Sequence, residues 1–117
     1  IIEGVHIAAH ILGQPERVLI GVEDNKPRAV EALEAAAEGS RFEVVEIPTK
    51  YPSGGEKQII QILTGKEVPS GKLPADIGIV CQNTGTLYAI CRAVLYGEPL
   101  ISRITTVTGR ACAINRN

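Results

Sequence analysis

Apolar residues follow two different spacings along the chain. They recur at helical spacing in four segments, at about 1–13, 27–38, 54–63 and 84–97. Between these segments lie short, nearly continuous apolar runs typical of strands buried on both faces, at 17–22, 42–47, 77–81 and 101–107. Alternating strands and helices predict an α/β fold, with a Rossmann-like three-layer α/β/α arrangement and a mainly parallel sheet of about four strands.

Short polar residues stand where two of the predicted helices begin. Asp24 or Asn25 can cap the helix at 27–38. Ser53 and Glu56 have the spacing of a capping box at the start of the next helix. These residues therefore offer side-chain caps at both helix starts.

Polar segments follow three of the predicted strands, at 23–26, 48–57 and 82–86. The carboxyl ends of parallel strands meet at one edge of a sheet, and ligands of open α/β folds usually bind there. These three segments are therefore the candidates for a binding site.

The segment 48–57 has two interpretations. Gly54 and Gly55 let the backbone approach a ligand closely, and the N–H groups at the following helix start can bind an anion. Alternatively, the glycines only form the turn while Ser53 and Glu56 cap the helix. Because the chain contains neither a phosphate-binding-loop pattern nor Gly-x-Gly-x-x-Gly, the residues alone leave both interpretations open.

The segment 82–86 has two interpretations as well. Asn83 or Thr84 can cap the helix that follows. The amide groups of Gln82 and Asn83 also offer donors and acceptors that suit the polar edge or the ribityl hydroxyls of a flavin.

Composition and charge exclude several classes of function. Lys and Arg number 12 and Asp and Glu 13, so the net charge of −1 does not indicate a nucleic-acid-binding protein. No apolar run approaches the roughly 20 residues of a membrane-spanning helix. We expect the three cysteines, Cys81, Cys91 and Cys112, to be reduced thiols, because they lack the Cys-x-x-Cys spacing of zinc or iron–sulfur sites.

No metal site or catalytic residue is predicted from the remaining candidates. His6 and His10 are four residues apart on one helix, but no third ligand stands at a convincing spacing. The chain has no methionine and opens on a helical pattern, so we expect a piece of a longer protein.

Five stretches in collinear order resemble the C subunit of Rnf (Rsx) electron-transport complexes, at 21–27, 48–58, 63–71, 82–86 and 97–109. That protein is related to the NADH-binding flavoprotein subunit of respiratory complex I and to cobalamin reductases. The resemblance implies that residues 1–109 are part of a flavin/NADH-binding α/β domain. It also implies that residues 110–117 begin a linker to a further domain.

The resemblance further implies an oxidoreductase that moves electrons between NADH, FMN and [4Fe–4S] clusters, with the clusters outside this chain. Its partners would be the other subunits of the membrane complex, NADH and a ferredoxin-type carrier. It would lie peripherally on the cytoplasmic face of the bacterial inner membrane. The alternatives are a non-catalytic docking domain and a flavin-dependent cobalamin reductase.

Site residues carry over where the motifs match. The Tyr-x-x-Gly-Glu-Glu segment of the complex I relatives matches here with Gly55 in place of the first Glu, and their Asn-Asn-Val-Glu-Thr segment matches with Gly85 in place of Glu. The implied cofactor-binding residues are Tyr51, Gly54, Gly55, Glu56, Gln82, Asn83 and Thr86. The glycine-rich flavin fingerprint of the family does not occur here, so we expect the isolated chain to bind flavin weakly and to lack dehydrogenase activity.

Overall fold

A computed structural model describes residues 1–105 of the chain. The described part alternates helices and strands, in the order α1 (Ile2–Ile11), β1 (Val18–Glu23), α2 (Pro27–Ala37), β2 (Phe42–Ile47), α3 (Glu56–Thr64), a 3-10 helix (Pro74–Ile77) and α4 (Thr84–Tyr96). The predicted α/β class is confirmed, as are the four helices and the first two strands, within one or two residues at most boundaries.

The two strands pair in parallel along their whole length. Val18 lies opposite Phe42 at one end of the pair, and Glu23 lies opposite Ile47 at the other. Because the strands run in register, the segments that follow β1 and β2 leave the sheet side by side.

Helices pack on both faces of this pair. On one face the buried side chains of Val5, Ile20, Val22 and Val30 form a cluster that joins α1 and α2 to β1, and Leu87 of α4 packs against it. On the other face Gly21 leaves room for Ile59 and Leu63 of α3, whose side chains lie 3.2 and 3.3 Å from where its Cβ would be.

Helices α1 and α4 approach each other closely at Gly4. A Cβ atom there would lie 2.0 Å from the backbone oxygen of Leu87. The contact of these two helices therefore depends on the missing side chain.

The sheet has fewer strands than the sequence predicted. Residues 77–81 form no strand, because Ile77 ends the 3-10 helix and Gly78 follows with a left-handed φ of 74°. Residues 101–105 are irregular, and positions 106–107 of that predicted strand lie outside the described residues. An apolar run becomes a strand only where a neighbour supplies hydrogen bonds, so the four-stranded Rossmann-like sheet is not formed within residues 1–105.

The apolar spacing of α2 and α4 predicts that Ala36, Ala93 and Val94 face inward, but all three are exposed. On α2 the buried alanine is Ala37, and no residue of α4 is fully buried. The predicted linker at 110–117 lies outside the described residues.

Candidate functional site

A carboxylate joins the loops that follow the two strands. Asp24, directly after β1, accepts hydrogen bonds at Oδ1 from the backbone N–H of Thr49 at 3.1 Å and from the Thr49 hydroxyl at 2.6 Å. Its own backbone N–H donates to the carbonyl of Ile47 at 2.9 Å. Both strand ends are thereby tied together at the edge where polar segments were predicted to meet.

The bonds from Thr49 also explain the charge state of Asp24. The hydroxyl and the backbone N–H of Thr49 stabilise the ionised carboxylate, so the pKa of Asp24 lies below its usual value. The expected capping role is wrong, because Lys26 occupies the N-cap of α2 and no side chain caps that helix start. The Asp24 carboxylate instead accepts hydrogen bonds from Thr49, in the loop that follows β2.

The loop from Thr49 to Gly55 is held by its own hydrogen bonds. The backbone N–H and the hydroxyl of Ser53 both donate to the carbonyl of Lys50, the former at 2.6 Å. The N–H of Gly55 donates to the carbonyl of Pro52 at 2.8 Å, and the Tyr51–Pro52 peptide is cis. Ser53 is buried although it is polar.

The expected capping box at Ser53 and Glu56 is wrong. Helix α3 begins at Glu56, so Gly55 is its N-cap and Ser53 lies too far upstream to reach the first turn. Ser53 bonds within its own turn instead. Because glycine has no side chain, the N–H groups of the first turn of α3 receive no side-chain cap.

The two glycines of this loop lie in different surroundings. A Cβ atom at Gly55 would lie 2.3 Å from Oε1 of Gln58, whose side chain folds back over the helix start. A Cβ atom at Gly54 would meet no described neighbour within 4 Å. Gly54 is exposed and does not adopt a left-handed φ, so neither packing nor the turn within residues 1–105 requires glycine there.

Helix α4 begins with a side-chain cap. Capping was one of the two interpretations of the segment 82–86. Asn83 is the N-cap, and its Oδ1 accepts a hydrogen bond from the N–H of Gly85 at 2.8 Å. Capping occupies only the oxygen of this amide, and within residues 1–105 no hydrogen bond from Nδ2 is formed. Gln82 and Asn83 are exposed, and Thr86 is half-buried.

Cys81 lies two residues before Asn83, the N-cap of α4. Burial raises the pKa of the Cys81 thiol, and the Glu56 carboxylate raises it further. The segment that leads into Gln82 and Asn83 therefore lies within the field of the first residue of α3. Within residues 1–105 the side-chain hydrogen bond of Asn83 stays inside its own segment, and Gly54 and Asn83 are both exposed.

Two shallow pockets lie beside other parts of the fold. One, of about 450 Å³, is lined by residues of α2 and by Phe42 at the amino end of β2. The other, of about 260 Å³, is lined by Tyr51, Gln58 and Gln61. Gly54, Glu56 and Asn83 line neither of them, and the Tyr51 side chain is 96% exposed.

Comparison with known proteins agrees with an FMN-related fold. A family model described as the Nuo51 FMN-binding domain matches residues 1–92. The C subunit of the ion-translocating oxidoreductase complex of Vibrio cholerae serotype O1 is 56% identical over 117 residues, which cover 100% of this chain and 15% of the relative. The protein of the same name from Pseudomonas aeruginosa is 57% identical over 111 residues, or 95% of this chain and 14% of the relative.

The chain thus spans about 15% of the length of the curated relatives that it matches. The identity extends over the whole chain, which confirms the resemblance to the C subunit of Rnf-type complexes. The match of the family model covers α1 to most of α4, including all three candidate segments. The chain therefore belongs to the Nuo51 FMN-binding domain family.

Proposed function

We propose that this chain forms one side of the FMN site in a membrane-associated oxidoreductase subunit that moves electrons between NADH, FMN and iron–sulfur clusters. The observation that carries the proposal is the exposed surface formed by Gly54 before α3 and Asn83 before α4. The segment with Gly54 follows the carboxyl end of β2, and cofactors of α/β folds bind at such strand ends. Membership of an FMN-binding domain family supports the choice of cofactor.

The residues at this surface fit the flavin ring. The Nδ2 of Asn83, which forms no hydrogen bond within residues 1–105, is a donor for a carbonyl oxygen or ring nitrogen of the flavin. The open space at Gly54 lets a planar ring lie against the backbone. The carboxylate of Glu56 repels a dianionic phosphate, so we assign this surface to the ring and not to the phosphate group of FMN.

Each residue contributes binding and orientation in this proposal. Asn83 donates to the polar edge of the ring while its oxygen keeps the start of α4 in place. Gly54 admits the ring face, and Gln82 and Thr86 flank Asn83 on the same segment. Tyr51, Gly55 and Glu56 complete the proposed site from the side of α3. Bound FMN would supply the hydride and single-electron chemistry, which is a property of the cofactor.

Asn83→Asp separates the two roles of Asn83. Aspartate keeps the Oδ1 cap but has no amide donor, so the stability of α4 should change little. In the full-length subunit we expect the FMN affinity to fall about tenfold or more, measured by flavin fluorescence titration. Gln14→Glu, the same amide-to-carboxylate change at an exposed residue between α1 and β1, is the matched control. An unchanged affinity for Asn83→Asp would exclude Asn83 as a cofactor contact.

The alternatives make different predictions in the same system. If Asn83→Ala and Glu56→Ala both left the flavin content and NADH oxidation unchanged, a non-catalytic docking domain would be favoured. Reduction of a cobalamin substrate, without electron transfer to ferredoxin, would favour the cobalamin-reductase alternative. The electron-transport proposal expects loss of NADH oxidation together with loss of flavin.

We propose the other subunits of the complex and a ferredoxin-type carrier as partners, with a peripheral position on the cytoplasmic face of the inner membrane. Within residues 1–105 no helix has both the length and the apolar character needed to cross a bilayer. Membrane fractionation tests the location: the full-length protein should be recovered with membranes only when its partner subunits are present.

We propose that the isolated 117-residue chain binds FMN weakly and has no dehydrogenase activity. The open surface that carries Gly54 and Asn83 contacts a ring from one side only, which leaves most of the ligand in water. In a fluorescence titration we expect no saturable binding below micromolar concentrations. Sub-micromolar binding would show that residues 1–117 contain a complete site.

A further inference from the structure

We propose that Asp24 is a positioning residue for the FMN site, holding the loop that carries Gly54 through its two hydrogen bonds with Thr49. This inference rests on the proposed function. Asp24 belongs to neither of the matched cofactor segments. It contacts Thr49 and not the proposed cofactor surface itself.

The path from Asp24 to Gly54 is short and continuously bonded. Oδ1 of Asp24 fixes both the backbone and the side chain of Thr49. From Lys50 onward the loop is closed by the two bonds of Ser53 and by the bond between Gly55 and Pro52. Gly54 lies between the hydrogen-bonded turn that begins at Lys50 and the start of α3. A shift of Thr49 would therefore move Gly54 as well.

The Asp24 carboxylate bonds to Thr49 and forms no ion pair with a cation of residues 1–105. Lys26, the cation in the same loop, pairs with Glu23. Thr49 offers a hydroxyl and an N–H to a single carboxylate oxygen, and hydrogen bonds to an ionised acceptor are stronger than neutral ones. The contact therefore acts as a clamp between the end of β1 and the start of the cofactor loop.

The same pair of strands provides a matched control at its opposite end. Arg17 and Glu43 form two side-chain hydrogen bonds at 3.0 and 2.8 Å, next to the first residues of β1 and β2. This contact also joins the strands through a carboxylate, but it lies at the amino end of the sheet, away from Gly54 and Asn83. Removing it tests the effect of losing an inter-strand contact without moving the cofactor loop.

The test measures FMN affinity of the full-length subunit by fluorescence titration, with amide hydrogen exchange of residues 49–55 as a second readout. We expect Asp24→Ala to weaken FMN binding about tenfold and Thr49→Val about threefold, with faster exchange in the loop. Thr49→Ser keeps the hydroxyl and should bind within about twofold of wild type, as should Glu43→Ala. The effects of Asp24→Ala and Thr49→Val should not add, because both break one contact.

The outcomes separate this inference from the proposed function. If Asn83→Asp weakens FMN binding while Asp24→Ala and Thr49→Val do not, the positioning role is overturned and the FMN site stands. If none of the three weakens binding, the proposed function itself fails. Should Asp24→Ala fail to fold, the comparison of Thr49→Val with Thr49→Ser decides, since equal affinities of these two variants would overturn the clamp.

Discussion

Gly4 and Gly54 differ in burial and in their neighbours. Gly4 is buried at the crossing of α1 and α4, where a Cβ atom would lie 2.0 Å from the backbone oxygen of Leu87. Gly54 is exposed, and a Cβ atom there would meet no described neighbour. Packing inside the chain explains the first glycine, whereas we propose a cofactor contact for the second.

Gly4→Ala should lower the free energy of unfolding by at least about 1 kcal/mol. The clash with backbone atoms of α4 cannot be relieved by a side-chain rotation, and it outweighs the gain in helix propensity of about 1 kcal/mol. Urea unfolding of the purified chain measures the change. Gly54→Ala is the control and should stay within about 0.5 kcal/mol of wild type. Equal stabilities for the two variants would contradict the close approach of α1 and α4.

Asp24 should make stability depend on pH in the acid range. Its pKa in the folded chain is lowered from 3.8 by the hydrogen bonds with Thr49, so its contribution is fully present above that value. The contribution is lost as the pH falls through the lowered pKa of the folded chain. We expect the gap in urea midpoint between wild type and Asp24→Asn to be constant from about pH 7 to 5 and to shrink below about pH 4.

The exposed Glu31 on α2 provides a control for this pH dependence. Glu31→Gln should not reproduce the gap, because that carboxylate lies away from the strand-end contact. A gap for Asp24→Asn that persisted unchanged at pH 2 would show that ionisation of Asp24 is not what stabilises the loop.

At the scale of elements, α3 is attached to the sheet by a few aliphatic side chains. Ile60 is 3% exposed, whereas Ile62 on the same helix is 44% exposed. Ile60→Ala should cost about 2–5 kcal/mol of unfolding free energy, because it leaves a cavity under α3. Ile62→Ala should cost less than about 1 kcal/mol in the same urea experiment. Similar losses would mean that α3 is rotated relative to the sheet.

The elements that the sequence predicted correctly are those whose signal is local. The run at 42–47 and the helical spacing of α2 and α3 carry their own periodicity, so their position needs no information from the rest of the chain. The run at 77–81 looked equally apolar, but a strand requires a partner, and the end of the 3-10 helix at Gly78 was not evident from hydrophobicity.

The two wrong caps have a common physical reason. Asp24 and Ser53 have the composition of capping residues, but each makes hydrogen bonds inside the strand-end region instead. Asp24 accepts from Thr49, which the parallel strand pair brings near, and Ser53 donates to the Lys50 carbonyl within its own turn. A signal existed in the sequence, since Asp24 and Thr49 each lie within two residues of the end of a predicted strand and parallel strand ends meet.

At the scale of the whole molecule, polar residues of three segments lie at the carboxyl end of the sheet. Asp24 contacts the segment after β2, and Glu56 acts on Cys81 just before α4. The sequence predicted this common edge from topology. It did not predict where the start of α4 lies, because that depends on the packing of α4 against Gly4 of α1.

Hydrogen–deuterium exchange of the full-length subunit with and without FMN tests the central claim most directly. We expect FMN to slow amide exchange at 49–57 and at 82–87, which form the two sides of the proposed surface. Residues 34–44, at the opposite end of the sheet, serve as the internal control and should not change. Protection confined to other parts of the protein, with unchanged exchange at both candidate segments, would contradict an FMN site at this edge.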